Sequence, residues 1–121
     1  MAKSVYIHIP FCKQICSYCD FCKMFYIRKW VDKYLDKLYE EVKSMYEGED
    51  LRTLYIGGGS PSALNPKELE KLSKVINLFN LSKNCEVTFE ANINDLNDIY
   101  LVSLNNMISI FVFYAFFIIR L

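Results

Sequence analysis

Residues 51–72 read LRTLYIGGGSPSALNPKELEKL, and this stretch carries the signals of a strand, a turn and a helix in succession. Residues 51–56 are rich in apolar and aromatic side chains, which predicts a strand that runs directly into the glycines at residues 57–59. Asn65 is followed three residues later by Glu68, the pattern of a capping box at the start of a helix. The stretch therefore predicts a strand–turn–helix unit, from which α/β folds are built.

The sequence on either side predicts two more strands and further helices. Residues 3–9 are rich in β-branched and aromatic side chains and end at Pro10, which cannot donate to a β-ladder. Apolar residues recur every 3.6 residues over residues 30–45, which predicts a helix, and residues 85–91 alternate as a third strand. A short helix is predicted over residues 95–105. This order is typical of a parallel sheet covered by helices.

The same periodicities predict which side chains form the core. The first helix is expected to end near Gly48, and its apolar stripe consists of Trp30, Val31, Tyr34, Leu35, Leu38, Val42 and Met45. The stripe of the second helix consists of Leu69, Leu72, Val75, Ile76 and Phe79. One face of the third strand carries Val87, Phe89 and Ala91, and the other carries Glu86, Thr88 and Glu90.

The composition is that of a globular chain without a bias toward charged partners. Fourteen basic and fourteen acidic side chains cancel, so nucleic acid and membrane surfaces are not expected as partners. Hydrophobic residues make up 53% of the 121 residues, enough for a packed core in one domain.

Cysteine usage indicates a reducing compartment. The chain has five cysteines, an odd number, and four of them fall between Cys12 and Cys22. The first ten residues contain no continuous apolar segment of the kind that secretory signals need. A cytoplasmic location is therefore expected, where clustered thiols indicate a metal site or catalysis.

The cysteine loop, residues 11–23, has a spacing that suits an iron–sulfur cluster. Cys12, Cys16 and Cys19 can place three thiolates around one face of a [4Fe–4S] cluster and leave one iron open to a small molecule. The alternative is structural zinc, held by these cysteines with Cys22 or His8. Zinc sites usually use two separated pairs of ligands, so the single packed run favours the cluster. Cys22 is a fourth ligand, a spare thiol near the site or a small buried hydrophobic residue; the spare thiol is favoured, because residues 19–22 would have to fold back tightly to reach the open iron.

Three features converge on one edge of the predicted sheet. Ligands of parallel sheets gather at the carboxyl ends of the strands, where the cysteine loop, residues 57–59 and Glu90 all lie. The glycines let a backbone approach a ligand closely, but no Gly-Lys-Ser/Thr follows, which argues against a triphosphate loop. Glu90 is either an exposed strand carboxylate or a partner for a ribose hydroxyl or a ligand amine. His8 shares a strand face with Tyr6, and both alternate with Val5, Ile7 and Ile9. His8 either packs in the core or faces this site.

Four motifs in this order resemble those of a known superfamily. Residues 6–12 read YIHIPFC, residues 16–21 CSYCDF, residues 55–62 YIGGGSPS and residues 89–92 FEAN. Together they resemble the radical S-adenosylmethionine superfamily, and within it the oxygen-independent coproporphyrinogen III oxidase family with its haem-chaperone relatives. The resemblance covers about residues 4–105. It implies an α/β fold: the N-terminal portion of a partial (β/α) barrel with parallel strands, truncated after about three βα units.

The resemblance also implies cofactors, partners and site residues. Cys12, Cys16 and Cys19 would ligate the cluster, and S-adenosylmethionine would bind the fourth iron. The residues that would contact this cofactor are Tyr6, Tyr18, Phe21, Gly57, Gly58, Gly59, Ser60 and Glu90. In the oxidases an electron from the cluster cleaves the sulfonium, and the resulting radical starts decarboxylation of porphyrinogen propionates. A protein that donates electrons, and a porphyrin or haem, would be partners; a haem chaperone would bind haem without turnover.

The sequence departs from the family pattern in three places. Ser60 stands where Thr is common, and Ile93 stands where Pro often follows Asn92. The third departure is length: residues 1–105 correspond to the first part of the radical S-adenosylmethionine domain, and residues 106–121 are an apolar tail outside the family pattern. A frameshift, which would make the chain a non-functional product, is one hypothesis for this tail. The chain alone is not expected to catalyse.

The tail itself reads MISIFVFYAFFII over residues 107–119. These thirteen residues would form a helix of about 20 Å, whereas a membrane span needs ~20 residues, or about 30 Å. Their aromatic and β-branched composition predicts a strand instead.

Overall fold

The computed structural model describes residues 3–12, 24–25, 27–59, 61–91, 97 and 114–116. The strands are β1 (Lys3–Ile9), β2 (Phe11–Cys12), β3 (Met24–Phe25), β4 (Asp50–Gly58), β5 (Asn80–Glu90) and β6 (Tyr114–Phe116). The helices are α1 (Arg28–Met45) and α2 (Pro66–Ile76), and Pro61–Ala63 forms a 3₁₀ turn.

The centre of the molecule is a four-stranded sheet in the order β1-β4-β5-β6, and every neighbouring pair is parallel. Tyr6 on β1 lies beside Tyr55 on β4, and Tyr55 lies beside Thr88 on β5. Helix α1 lies in the chain between β1 and β4, and α2 between β4 and β5. The predicted α/β class and the parallel sheet are confirmed.

One face of the sheet forms the core together with both helices. The cluster includes strand side chains at alternating positions: Ile7, Ile9, Leu54, Ile56, Val87 and Phe89. It also includes Val31 and Leu35 of α1 and the whole predicted stripe of the second helix, of which Phe79 lies just beyond α2. Each fully buried aliphatic or aromatic side chain contributes about 1.5–3 kcal/mol. The other face of the sheet remains available for a site.

The predicted stripe of the first helix is wrong at its two ends. Trp30 is 47% exposed and Met45 is 71% exposed. Trp30 lies in the first turn of α1 and Met45 is its last residue, so the helical period alone assigned to the core two helix-end residues that the structure leaves exposed. The helix also ends at Met45, three residues before Gly48, which adopts a φ of +91° in the following turn.

Two strands are longer than their sequences predicted. β5 begins at Asn80 rather than at Cys85, and β4 includes Gly57 and Gly58, which were expected to follow it. Thr88, predicted on the polar face of β5, is buried at 7% exposure.

The C-terminal segment adds a strand to the sheet. Tyr114–Phe116 pairs in parallel with the end of β5, so the strand predicted within residues 107–119 is confirmed at these three positions.

The predicted helix over residues 95–105 lies outside the described residues apart from Asn97. Among the residues that the structure describes, no helix is long and apolar enough to cross a membrane.

The capping box at the start of α2 forms as the sequence predicts. The Glu68 backbone N–H donates to Asn65 Oδ1 at 2.8 Å, and the Asn65 backbone N–H donates to Glu68 Oε1 at 2.8 Å. Two helix-end donors that would otherwise lack partners are thereby satisfied.

Replacing Asn65 by alanine is expected to lower the free energy of unfolding by about 1 kcal/mol, because the N-cap acceptor is lost. Urea denaturation followed by far-UV circular dichroism measures the change. Asn77→Ala is the matched control, since Asn77 caps the other end of α2 through its backbone N–H, which alanine retains. Equal losses in both variants would contradict this account of the cap.

Candidate functional site

The carboxyl ends of β1, β4 and β5 meet at one edge of the sheet, because the three strands are parallel. Ile9 at the end of β1 lies beside Gly58 of β4, and the Gly59 N–H donates to the Ile9 carbonyl at 2.8 Å. Phe89 of β5 lies beside Ile56, so Glu90 follows at the level of the glycines. The predicted convergence of residues 57–59 and Glu90 is therefore observed.

Gly58 allows the ends of β4 and β1 to come this close. Its φ is +124°, a conformation that side chains disfavour. A Cβ atom on Gly58 would lie 2.5 Å from the Ile9 carbonyl oxygen and 2.9 Å from His8 Nδ1. Because the first of these neighbours is backbone, no side-chain movement could relieve the clash.

Gly57 has a different role, since its neighbours are side chains. A Cβ atom there would lie 2.3 Å from Glu90 Oε1 and 2.6 Å from Tyr55 Cε1. The space above Gly57 is therefore occupied by the Glu90 carboxylate and the edge of the Tyr55 ring.

The Glu90 carboxylate is held by the backbone of the glycine run. The Gly58 N–H donates to Glu90 Oε1 at 3.0 Å, and the side chain is half-buried. Glu90 is therefore not the exposed strand carboxylate of the first interpretation, and its contact with a ribose hydroxyl or a ligand amine stays a prediction.

Two tyrosines and a histidine line the same face. Tyr6 is 55% exposed and stacks on Tyr55, with ring centroids 5.5 Å apart and planes at 21°. The Tyr6 hydroxyl lies 3.3 Å from His8 Nδ1, so His8 is on the site face rather than in the core. Aromatic contacts of this kind contribute about 0.5–1.5 kcal/mol.

Both tyrosine hydroxyls keep their protons at neutral pH. Partial burial raises the pKa of Tyr55 to about 12, with further contributions from the charge of Glu90 and a hydrogen bond to it. Burial, and then the charge of Glu90, also raises the pKa of Tyr6. Tyr55 is therefore a hydrogen-bond donor to Glu90 throughout the physiological range.

The cysteine loop starts at the same edge and returns to it. Phe11 pairs with Met24 and Cys12 with Phe25, so the eleven residues between β2 and β3 begin and end side by side. β2 also packs against the Pro61–Ala63 turn that follows the glycine run. Cys12 is thus placed at the site edge by its backbone. The other predicted site residues of this region lie outside the described residues: Cys16, Tyr18, Cys19, Phe21 and Ser60.

The end of β1, just before the cysteine loop, is anchored to α1. The Tyr34 hydroxyl donates to the His8 carbonyl, and the Tyr34 ring meets the buried Phe11 ring edge-on at 5.4 Å. Burial, and then the charge of Glu41, raises the pKa of Tyr34, so the hydroxyl remains a donor. A strand carbonyl is thereby satisfied by a helix side chain.

Two residues of this region have contacts that local sequence patterns did not predict: Tyr55, which contacts Glu90 and Tyr6, and Tyr34, which was expected only in the core stripe. The signal for Tyr55 was present: it lies two residues before Gly57 in a strand, and such residues share a face. Nothing in the sequence marks the hydrogen bond from Tyr34, because it joins residues 26 positions apart.

The fold described above is found in one known superfamily. Residues 6–105 match the family described as the Radical SAM superfamily. The match covers most of the chain, and the chain belongs to this superfamily.

Two curated relatives and one solved structure show what the chain is similar to within the superfamily. The chain is 47% identical over 96 residues to the "Heme chaperone HemW" of Lactococcus lactis, which covers 78% of this chain and 25% of the relative. It is 32% identical over 94 residues to the "Oxygen-independent coproporphyrinogen III oxidase" of Escherichia coli, and this alignment covers 73% of this chain and 20% of the relative. The solved structure of coproporphyrinogen III oxidase (HemN) from Escherichia coli matches with a TM-score of 0.76 and 28% identity, over 86% of this chain and 25% of that one.

The chain spans about a quarter of the length of these relatives. The structural match confirms that the sheet corresponds to the N-terminal portion of the radical S-adenosylmethionine barrel.

The two neighbouring glycines are expected to respond differently to alanine. Gly58→Ala should lower the free energy of unfolding by about 2–3 kcal/mol, because it combines a positive φ with a clash against the Ile9 backbone. Gly57→Ala should cost less, since the flexible end of Glu90 can move away. Chemical denaturation measures both values.

Gly48→Ala is the control for the positive φ alone. Gly48 has a φ of +91°, and its Cβ would meet only Asn80 Nδ2 at 3.8 Å, so a loss of about 1 kcal/mol is expected. A loss for Gly58→Ala no larger than that for Gly48→Ala would contradict the close approach of β4 to β1.

Proposed function

We propose that this chain holds a [4Fe–4S] cluster on Cys12, Cys16 and Cys19 and binds S-adenosylmethionine beside it. The observation that carries the proposal is the convergence, at one sheet edge, of the start of the cysteine loop, the glycine run and the Glu90 carboxylate. Membership of the superfamily supports both cofactors in general.

The residues present fit a cluster by their chemistry and by the closure of their loop. Thiolates are the usual ligands of iron–sulfur clusters. The pairing of β2 with β3 keeps both ends of the segment that contains Cys16 and Cys19 beside Cys12, which supports three ligands around one cluster. Structural zinc remains the competing occupant, with Cys22 or His8 as the additional ligand.

The edge also fits the polar end of S-adenosylmethionine. Its ammonium group needs acceptors, and Glu90 offers an oriented carboxylate beside the backbone of Gly57, Gly58 and Gly59. Tyr6, which lies beside Tyr55 and two residues before this level of the sheet, offers an exposed ring. We assign these residues to the cofactor together with Ser60, which follows Gly59 in the sequence, and with Tyr18 and Phe21 of the cysteine loop, on the resemblance to the superfamily.

The protein part of the chemistry would be to bind, orient and exclude water. When bound, the cluster and S-adenosylmethionine together supply one-electron cleavage of the sulfonium. Glu90 would hold the cofactor amine, and the stacked Tyr6 and Tyr55 would form one wall of the site. An electron-donating protein is a proposed partner of the whole protein.

A haem-binding role without oxidase turnover is the second candidate. It is favoured by the 47% identity to a relative named as a haem chaperone, against 32% to one named as a coproporphyrinogen oxidase. Porphyrin or haem is therefore the ligand class that we propose for the whole protein. Residues 1–105 would form the cofactor-binding part, since the superfamily match ends at residue 105.

Anaerobic reconstitution of the chain with iron and sulfide tests the primary proposal. A visible absorption band and an electron paramagnetic resonance signal that changes on addition of S-adenosylmethionine are expected. A colourless preparation that contains zinc would overturn the cluster assignment. A cluster whose signal is unaffected by S-adenosylmethionine would overturn the cofactor assignment.

Addition of haem tests the second candidate. A Soret band that saturates at one haem per chain is expected if the chain binds haem.

Single Cys→Ala variants at positions 12, 16 and 19 are each expected to reduce bound iron by at least about tenfold, because each removes one of only three protein ligands of the proposed cluster. Iron and sulfide analysis after reconstitution measures the loss. Cys85→Ala is the control, since Cys85 is a buried thiol of β5, five positions before Glu90. Retention of the full iron content by any of the three variants would remove that cysteine from the ligand set.

A further inference from the structure

We propose that Tyr55 is the positioning residue of the site, which fixes the Glu90 carboxylate over Gly57 and supports the Tyr6 ring. The effect of Tyr55 on S-adenosylmethionine binding rests on the proposed function, whereas the positioning of Glu90 and Tyr6 is a property of the chain alone.

The placement of Tyr55 follows from strand alternation. Tyr55 and Gly57 lie two residues apart on β4 and share a face. Since Gly57 has no side chain, the edge of the Tyr55 ring can reach over it. A Cβ atom on Gly57 would lie 2.6 Å from Tyr55 Cε1 and 2.3 Å from Glu90 Oε1, so ring and carboxylate meet above this one glycine.

Two donors from β4 then hold one carboxylate of β5. The Gly58 N–H donates to Glu90 Oε1 at 3.0 Å, and the Tyr55 hydroxyl forms a second hydrogen bond to the same side chain. A glutamate has three rotatable bonds, so a second donor of fixed direction removes much of the freedom that one hydrogen bond leaves. The hydroxyl keeps its proton because the pKa of Tyr55 is about 12.

The other face of the Tyr55 ring supports Tyr6. The two rings stack at 5.5 Å across β4 and β1. Tyr6 is 55% exposed, and its hydroxyl also contacts His8 Nδ1 at 3.3 Å, so the stack on Tyr55 is one of the contacts that Tyr6 makes among the described residues. One side chain on the central strand therefore orients groups contributed by both neighbouring strands.

Tyr55→Phe separates the two contacts, because it keeps the ring and removes only the hydroxyl. The first measurement needs no cofactor: amide hydrogen exchange of Gly58 and Gly59 by nuclear magnetic resonance. Gly58 donates to Glu90, whereas Gly59 donates to the Ile9 carbonyl at 2.8 Å. If Tyr55 holds Glu90, exchange at Gly58 should accelerate about fivefold while exchange at Gly59 stays unchanged.

Acceleration at both glycines by the same factor would mean that Tyr55 only stabilises the fold, and no change at either would mean that it does not hold Glu90. Both results overturn the proposal. Tyr39→Phe is the matched control: Tyr39 lies on α1 with Lys43 near its ring, and its variant should leave both amides unchanged.

The second measurement is the affinity of the cluster-loaded chain for S-adenosylmethionine, by isothermal titration calorimetry. Tyr55→Phe should weaken binding about tenfold, with iron content and melting temperature as in the unmodified chain. Tyr55→Phe added to Glu90→Ala should cause no further loss, because Tyr55 acts through Glu90. If the double variant instead bound S-adenosylmethionine more weakly than Glu90→Ala alone, by the factor that Tyr55→Phe shows alone, the proposal would be overturned.

The two measurements distinguish failure of this inference from failure of the proposed function. If the unmodified chain binds no S-adenosylmethionine, the proposed function fails, and the exchange at Gly58 still decides whether Tyr55 positions Glu90.

Discussion

The close approach of β4 to β1 at Gly58 is the constraint on which the rest of the site depends. With a φ of +124° and no side chain, Gly58 lies against the Ile9 carbonyl, and Gly59 then donates to that same oxygen. The Gly58 N–H is left directed toward β5, where it meets Glu90. One residue thus joins the ends of three parallel strands, and only glycine satisfies both the backbone conformation and the space.

The two faces of the sheet have different roles: one packs the core, and the other presents polar and aromatic side chains. The strand side chains on one face form a hydrophobic core with α1 and α2. The opposite face of the sheet includes Tyr6, Tyr55, His8 and Glu90. The cysteine loop leaves from the end of β1, where Tyr34 ties the strand to α1. The core therefore fixes where the loop begins, and the polar face provides groups for a ligand beside it. This arrangement explains how a sheet found in many folds acquires a specific site at its carboxyl edge.

The positions of the elements followed from local patterns for physical reasons. Pro10 ends β1, because it cannot extend a ladder, and Asn65 with Glu68 starts α2, because each satisfies a free N–H of the other. Local patterns failed where burial depends on distant partners. Trp30 has the right period for the core, yet it lies in the first turn of α1 and is 47% exposed. The N-terminal extension of β5 and the pairing of Tyr114–Phe116 likewise depend on neighbouring strands.

The sequence by itself determined the class of the fold, the spacing of the cysteines, and the convergence of the cysteine loop, the glycine run and Glu90 on one edge. These depend on side-chain period, turn residues and the rule that parallel strands end together, all of which are local or topological. Only the tertiary structure decided that Glu90 is held by Gly58, that Gly57 leaves space for Tyr55, and that Tyr34 anchors the end of β1. These contacts join residues 26 or more positions apart, or depend on the exact distance between neighbouring strands, which is set by packing and leaves no periodic trace in the sequence.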